Sequence, residues 1–398
     1  MRRNNPYRPQ PGGEPPLLVG RDAEVQTVET TLASAREGGP MRPSVFIGLR
    51  GMGKTSLLRR CAAIAREDGA VVVSIEATAG IPMAGALAEG IADAKRQVSL
   101  GARIRGAVDG IRRALPSAAI DLPHDMGKIE LDLRGGEYQL PLRRALEDLN
   151  DAVRRRDSYL VLAIDEIQEA DLTDLSDIVM FVHATAGTTK PAVLLGAGLT
   201  NSAEHLHDAK TYTERWRYPR LECLNEQDTR DAIAVPAREK GVEFSDGALA
   251  LLVAETGGYP FFIQEYASVL WTFTDGPIIE VGDVRDRMIG VRKDLDEQFY
   301  ALRFGRLTNR ECAYALAVAS LGGGPQPVHK VAEVFDMKSS DLSSVRNQLI
   351  KKEVLFAEAP GTIEFRMPLT ERYIGRNRAT LEARANGSTL ANITRPRR

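Results

Sequence analysis

The sequence predicts an α/β fold built on a parallel sheet, followed by a small helical unit and a C-terminal unit that closes with two short β runs. Three observations carry this expectation. Short apolar, β-branched runs recur between helical patterns over the first 224 residues, without the alternation of a sheet that has one wet face. The octet Gly48-Leu49-Arg50-Gly51-Met52-Gly53-Lys54-Thr55 stands at the end of the first run and opens a helical pattern. After Leu224 the β runs stop and helical segments with N-terminal caps take over.

The composition agrees with this reading. A chain of 398 residues that is 43% hydrophobic and 27% charged supplies more than one core and excludes global disorder and collagen-like repeats. No run of about 18 apolar residues occurs, and Met1 to Pro6 lacks the apolar stretch of a signal peptide, so a cytoplasmic protein without a membrane partner is expected. Cys61, Cys223 and Cys312 are odd in number and far apart, which fits buried, reduced thiols better than disulfides or a zinc ribbon. The net charge is −2, yet residues 300–398 hold 16 Lys and Arg against 9 Asp and Glu. A basic C-terminal unit on an acidic body points to an anionic partner or to a solvated basic end.

Taken in order, residues 1–16 hold five prolines and two glycines and read as a flexible, extended leader. Strands are expected at Ser44–Leu49, Val71–Ala77, Tyr159–Asp165 and Ala192–Gly198, with a weaker one at Tyr218–Leu224. The α/β domain thus spans 17–224. Its insert at about 95–145 contains Ala118–Leu122 and Lys128–Leu133, whose alternation predicts a β-hairpin. Helices begin at Asn225 and Ser245, the second ending at Gly257-Gly258, and a third covers Phe261–Thr274, giving a helical unit over 225–300. Thr308–Leu321, Val328–Phe335 and Ser339–Lys352 read as helices, and Val354–Ala357 with Thr362–Met367 as a hairpin, within a unit of 301–377. The Arg- and Asn-rich tail 378–398 reads as disordered and solvated.

The octet has a physical logic. Gly48, Gly51 and Gly53 let the backbone fold into a nest whose N–H groups face phosphate oxygens, beside Met52. Lys54 adds a mobile positive charge, the Thr55 hydroxyl suits Mg²⁺, and the helix starting at Lys54-Thr55-Ser56 adds its positive dipole end. Hydrolysis of a nucleoside triphosphate also needs a metal-holding carboxylate and a base that orients water. The run Tyr159–Ile164 ends in Asp165 and Glu166, which supply both: Asp165 for Mg²⁺, Glu166 for water.

With these residues assembled, the chain resembles the AAA+ ATPases, P-loop NTPases of the ASCE type, close to the origin-recognition initiator clade and the STAND signalling ATPases. The likeness runs from Leu18-Val19-Gly20-Arg21-Asp22 to Phe365–Pro368. It implies ATP and Mg²⁺ as cofactors, a helical lid at 225–300 and a C-terminal winged helix-turn-helix. It places Val19, Gly20 and Arg21 beside the adenine, and a sensor 1 residue in Gly196–Asn201, with Asn201 first and Thr200 in reserve. It puts an arginine finger for a neighbouring subunit at Arg215, or Arg217, and a nucleotide-approaching lid element at Gly257–Phe262 that includes Tyr259 and Pro260. No arginine opens the next helix, where initiators carry sensor 2.

If the third C-terminal helix enters a major groove of duplex DNA, Ser343, Ser344, Arg346, Asn347 and Lys351 face bases and phosphates, with Lys352 beside them. The hairpin near Gly361 would touch backbone. The alternative is a winged helix that binds protein or locks the lid. His205 and His207 fall on different faces of a helix and are not read as metal ligands, and Trp216 and Trp271 read as core. The function expected is a slow ATPase in which ATP binding and hydrolysis act as a conformational switch coupled to DNA, in a homo-oligomer. The alternative is a STAND-like ATPase whose output is protein binding or oligomerisation, with slow or no turnover.

Overall fold

The computed structural model describes residues 4–10, 12–87, 90, 141–357 and 360–386. The expected hairpin at 118–133 lies outside them. The chain forms two compact units, Gln10–Glu222, and Cys223–Arg398 together with Met1–Pro9.

The first unit is built on four parallel strands, β1 (Ser44–Ile47), β2 (Val71–Glu76), β3 (Leu160–Asp165) and β4 (Val193–Gly198), in the order β1-β4-β3-β2. The apolar runs lack alternation because both faces are covered. Val71, Val73, Ile75, Leu160, Leu162, Ile164 and Leu194 share one core with α3 (Pro141–Arg154) and α4 (Leu172–Thr185). On other strand positions Val72, Val161, Ala163 and Leu195 are buried as well, and α2 (Lys54–Glu67) packs against β2, β3 and β4, with α1 (Asp22–Arg36) beside it. The weak fifth strand exists as two bridges beside β1, Ser44 with Arg217 and Ile47 with Arg220. Val45 and Ile47 donate to the carbonyls of Arg217 and Pro219, and Leu221 donates to Ile47, all at 2.8–3.0 Å. Pro219 has no N–H to return to Val45, so the ladder is interrupted there.

The second unit opens with α6 (Glu226–Arg238), α7 (Asp246–Thr256) and α8 (Pro260–Phe273), following α5 (Ser202–Ala209) of the first unit. Asn225 and Ser245 cap α6 and α7 through the backbone N–H groups of Asp228 and Ala248. Gly257 and Gly258 both have positive φ, and a Cβ on Gly258 would stand 2.0 Å from the Leu224 carbonyl, so this turn requires glycine. Two short parallel strands, β5 (Glu243–Phe244) and β6 (Ile278–Ile279), tie the helices together.

Helix α9 (Val281–Leu295) then continues through a π-helical turn, Asp296–Ala301, into α10 (Leu302–Gly305). The boundary expected at 300/301 therefore falls inside one helical run. Beyond it come α11 (Asn309–Ser320), β7 (Gln326–Pro327), α12 (Val328–Val334), α13 (Ser343–Lys351), β8 (Leu355–Phe356) and β9 (Thr362–Phe365), with an antiparallel sheet ordered β7-β9-β8.

Both ends of the chain differ from the sequence expectation. The leader is anchored: Tyr7 is buried, its hydroxyl donates to the Ile233 carbonyl and its ring meets Trp271 edge-on, while Asn5 bonds Ser268. One aromatic side chain between prolines holds a segment whose composition otherwise cannot pack. At the other end, α14 (Thr370–Arg376) is followed by α15 (Arg378–Ala385), which buries Leu381 and Ala385 against α11, and Arg384 donates to the carbonyls of Phe304 and Leu307. The expected solvated tail is thus helical as far as residue 385. Cys61 and Cys312 are buried, as expected, but Cys223 is exposed. Among the described residues, no helix is long and apolar enough to cross a membrane.

Candidate functional site

The strand order sets the ends of β1, β4 and β3 side by side, and each end carries one part of the site. From β1 the chain enters the glycine loop. Gly48 donates to the Gly198 carbonyl at the end of β4, and a Cβ on Gly48 would stand 2.9 Å from the Leu221 carbonyl. Gly51 and Gly53 have φ of 77° and 83°, a region that side chains other than glycine's disfavour, and Gly53 directly precedes α2. Lys54 is 6% exposed and its Nζ donates to the Leu49 carbonyl at 2.9 Å, so the ammonium is folded back across the loop.

Asp165 ends β3 and meets the loop directly through a hydrogen bond from the Thr55 hydroxyl. Burial raises the Asp165 carboxyl above the usual range, opposed by that hydrogen bond, by the Glu166 N–H at 3.0 Å and by the nearby Lys54 charge. Thr55 and Asp165 are hard oxygen donors held together beside the glycine loop, the type Mg²⁺ takes. The residues present fit that ion.

Glu166 follows with φ of 48°, in the left-handed region, which costs a non-glycine residue roughly 1 kcal/mol. Its Oε2 accepts a hydrogen bond from Gln168 at 2.6 Å. Gln168 was not singled out by the sequence, because a glutamine two residues past an acidic pair carries no spacing signal.

At the end of β4, Thr200 and Asn201 lead into α5, and Asn201 is exposed at the N-cap position just before it. Ser56 lies in the first turn of α2. Arg21 is 7% exposed, and its guanidinium donates to the carbonyls of Met52, at 3.3 Å, and Glu222, at 2.7 Å. It holds the glycine loop to the segment beside β1, a bracing role the expected adenine contact did not include. Val19 and Gly20 precede it, Gly20 with φ of 66°. Arg215 ends a 3-10 turn, Thr211–Arg215, and both it and Arg217 are exposed. His205 bonds the Ala170 carbonyl and His207 lies near Glu214, so each imidazole has a partner within the unit.

In the second unit Pro260 opens α8, but Tyr259 is fully buried, its ring 4.8 Å from that of Phe262 and 6.4 Å from that of Phe299. Tyr259 is a core residue with no surface to offer a nucleotide, which corrects the expected contact. On α13, Val345 and Leu349 are buried while Ser344, Asn347 and Lys351 are exposed and Arg346 is half-buried. Ser343 donates to the Ser340 carbonyl. Lys352 departs from the expected cationic face: its Nζ lies 2.6 Å from Glu311, a side chain of the unit's own core.

Residues 17–195 match the AAA ATPase domain, and residues 297–374 match a domain of unknown function (DUF8462). None of the curated proteins matches the sequence. Among solved structures, a Walker-type ATPase of Pyrococcus abyssi is similar at 16% identity and a TM-score of 0.58, covering 90% of this chain and 96% of that one. The ORC2 protein of Aeropyrum pernix, solved as ADPNP–ADP complexes, is similar at 15% identity and a TM-score of 0.50, covering 94% and 97%. At such identities the likeness concerns the fold.

Proposed function

We propose that this chain, whose residues 17–195 match the AAA ATPase domain, binds ATP with Mg²⁺ on the Gly48–Thr55 loop, hydrolyses it slowly, and uses the nucleotide state as a switch read out by its C-terminal helices. The observation that carries the reading is the hydrogen bond between Thr55 and Asp165, which joins the two sequence motifs at one point. Lys54 balances charge on the β and γ phosphates, and the loop N–H groups with the α2 N-terminus hold the phosphate oxygens. Thr55 and Asp165 would hold Mg²⁺, which neutralises phosphate charge when bound. Glu166 orients the attacking water and takes its proton. Asn201 lies at the neighbouring strand end as a polar contact for the γ phosphate or the water, and Arg215 serves the nucleotide of a neighbouring subunit in a homo-oligomer.

The output proposed for the C-terminal unit is duplex DNA, bound as a winged helix through Arg346, Asn347 and Lys351. The exposed polar face of α13 and the basic balance of residues 300–398 support it. A protein partner, as in STAND-like signalling ATPases, is the second reading, favoured by the engagement of Lys352 with Glu311, which takes one cation from that face.

The test of the hydrolytic reading is Glu166→Gln. The amide keeps the shape and loses the basic oxygen pair, so ATP binding is expected to persist while phosphate release falls by at least ~100-fold. Turnover equal to the unaltered protein would remove Glu166 from the role of base.

A further inference from the structure

Gln168 is held at both ends of its amide. Its Oε1 accepts the Leu199 backbone N–H at 2.9 Å and the Ser202 hydroxyl at 3.3 Å, while Nε2 donates to Glu166 Oε2 at 2.6 Å and to Glu169 Oε1 at 3.3 Å. The oxygen end meets only donors and the nitrogen end only carboxylates, so a flipped amide would oppose acceptor to acceptor on one side and donor to donor on the other. Gly198 makes the space: a Cβ there would stand 2.6 Å from Gln168 Oε1 and 2.2 Å from the Ser202 hydroxyl oxygen. Leu199 and Ser202 bracket Thr200 and Asn201, so the far end of Gln168 is fastened to the turn between β4 and α5.

We infer that Gln168 is a positioning residue that sets the direction of the Glu166 carboxylate and ties it to the β4–α5 turn. A glutamate side chain has three rotatable bonds, and at Glu166 the backbone turn alone does not select among their settings. The Gln168 amide does, because it fixes one carboxylate oxygen and leaves the other to face the reacting water. Any shift of Leu199 or Ser202 moves Gln168 Oε1, and with it Nε2 and the carboxylate it holds. Thr200 and Asn201, at the strand end nearest the phosphate loop, therefore share a mechanical connection with the base. The inference rests on the assignment of Glu166 as the water-orienting group.

Two substitutions separate orientation from simple anchoring of the turn. Gln168→Ala removes both ends of the connection. Gln168→Glu keeps the acceptor for Leu199 and Ser202 but turns a carboxylate oxygen toward Glu166 and Glu169. Steady-state ATP hydrolysis is expected to show kcat reduced ~10-fold or more in both, with KM and the dissociation constant for ATP unchanged within about twofold. In a Glu166→Gln background, adding Gln168→Ala should lower the residual rate no further, since the group being positioned is gone. If Gln168→Ala does not fold, the Gln168→Glu protein alone decides. Turnover by Gln168→Glu equal to the unaltered protein would reduce Gln168 to an anchor of the turn and overturn the inference, as would independent, additive losses in the double variant. Undiminished turnover by Glu166→Gln alone is a different result, which overturns the assignment of the base itself.

Discussion

Lys352 follows α13 and by sequence is one of three cations available to a phosphate backbone, yet its ammonium sits 2.6 Å from Glu311 and 3.0 Å from the Arg306 carbonyl. Glu311 is only 4% exposed; it also accepts the Thr308 N–H at 2.7 Å, closing a capping box at the start of α11. Replacing Lys352 with Met keeps the apolar stem and leaves the carboxylate without its cation. Breaking a fully buried pair costs about 3–5 kcal/mol. The Lys352 side chain is 31% exposed, so water recovers part of this, and about 2 kcal/mol is expected. At about 2–4 °C per kcal/mol for a unit of this size, the melting temperature should fall by about 4–8 °C.

Acid titration identifies the cause. Burial alone would raise the Glu311 carboxyl, but the hydrogen bonds from Lys352 and the Thr308 N–H outweigh it and hold the group below the usual carboxylate range. A carboxyl depressed on folding contributes stability that is complete above its unfolded pKa of about 4.3 and is lost as pH falls through the folded value. The difference between the two proteins should therefore be steady near neutrality and shrink on acidification. Thermal unfolding at a series of pH values reads both effects. An unchanged melting temperature, or a difference that does not respond to acid, would refute the pairing and return Lys352 to the outer face of α13.

Two further outcomes test the partners. If Arg215 acts on a neighbour's nucleotide, Arg215→Ala should lower hydrolysis without altering ATP affinity, and mixing it with Lys54→Ala protein should restore part of the activity, because each spoils a different half of the shared site; a mixture no more active than its components rejects the assignment. Neutralising Arg346 and Lys351 together should reduce the slope of log affinity against log salt for duplex DNA by up to about 1.8, at about 0.9 per phosphate contact, with DNA-free ATPase activity intact. An unchanged slope, or no DNA binding at low salt with ATP present, favours the protein-binding output.

What the sequence made legible was local. The glycine loop and the Asp165-Glu166 pair are contiguous motifs whose neighbours in the chain are also their context, and the strands read as strands because a doubly covered sheet leaves unbroken apolar runs. The fifth strand was faint because Pro219 takes one donor out of its ladder. The groups that escaped are those whose partners are distant in sequence. Arg21 braces the loop through Glu222, 201 residues away, Tyr7 reaches Ile233 across 226 residues, and Lys352 finds Glu311 across 41. Tyr259 shows the same limit in reverse: an aromatic residue beside a glycine turn has the same one-dimensional signature whether it faces a ligand or a core, and only its packing against Phe262 and Phe299 decides.

The most direct test of the whole account is the affinity for ATP of the unaltered protein and of Lys54→Ala, measured by titration calorimetry with a non-hydrolysable analogue and Mg²⁺. Because Lys54 is buried across the loop, thermal unfolding of both proteins must accompany the titration to show that the first unit still folds. The account predicts saturable binding at one site in the unaltered protein and a loss of at least ~100-fold in Lys54→Ala, about 2.7 kcal/mol. Equal affinity in two folded proteins, or no binding by the unaltered one, would contradict the assignment of Gly48–Thr55 as the phosphate site.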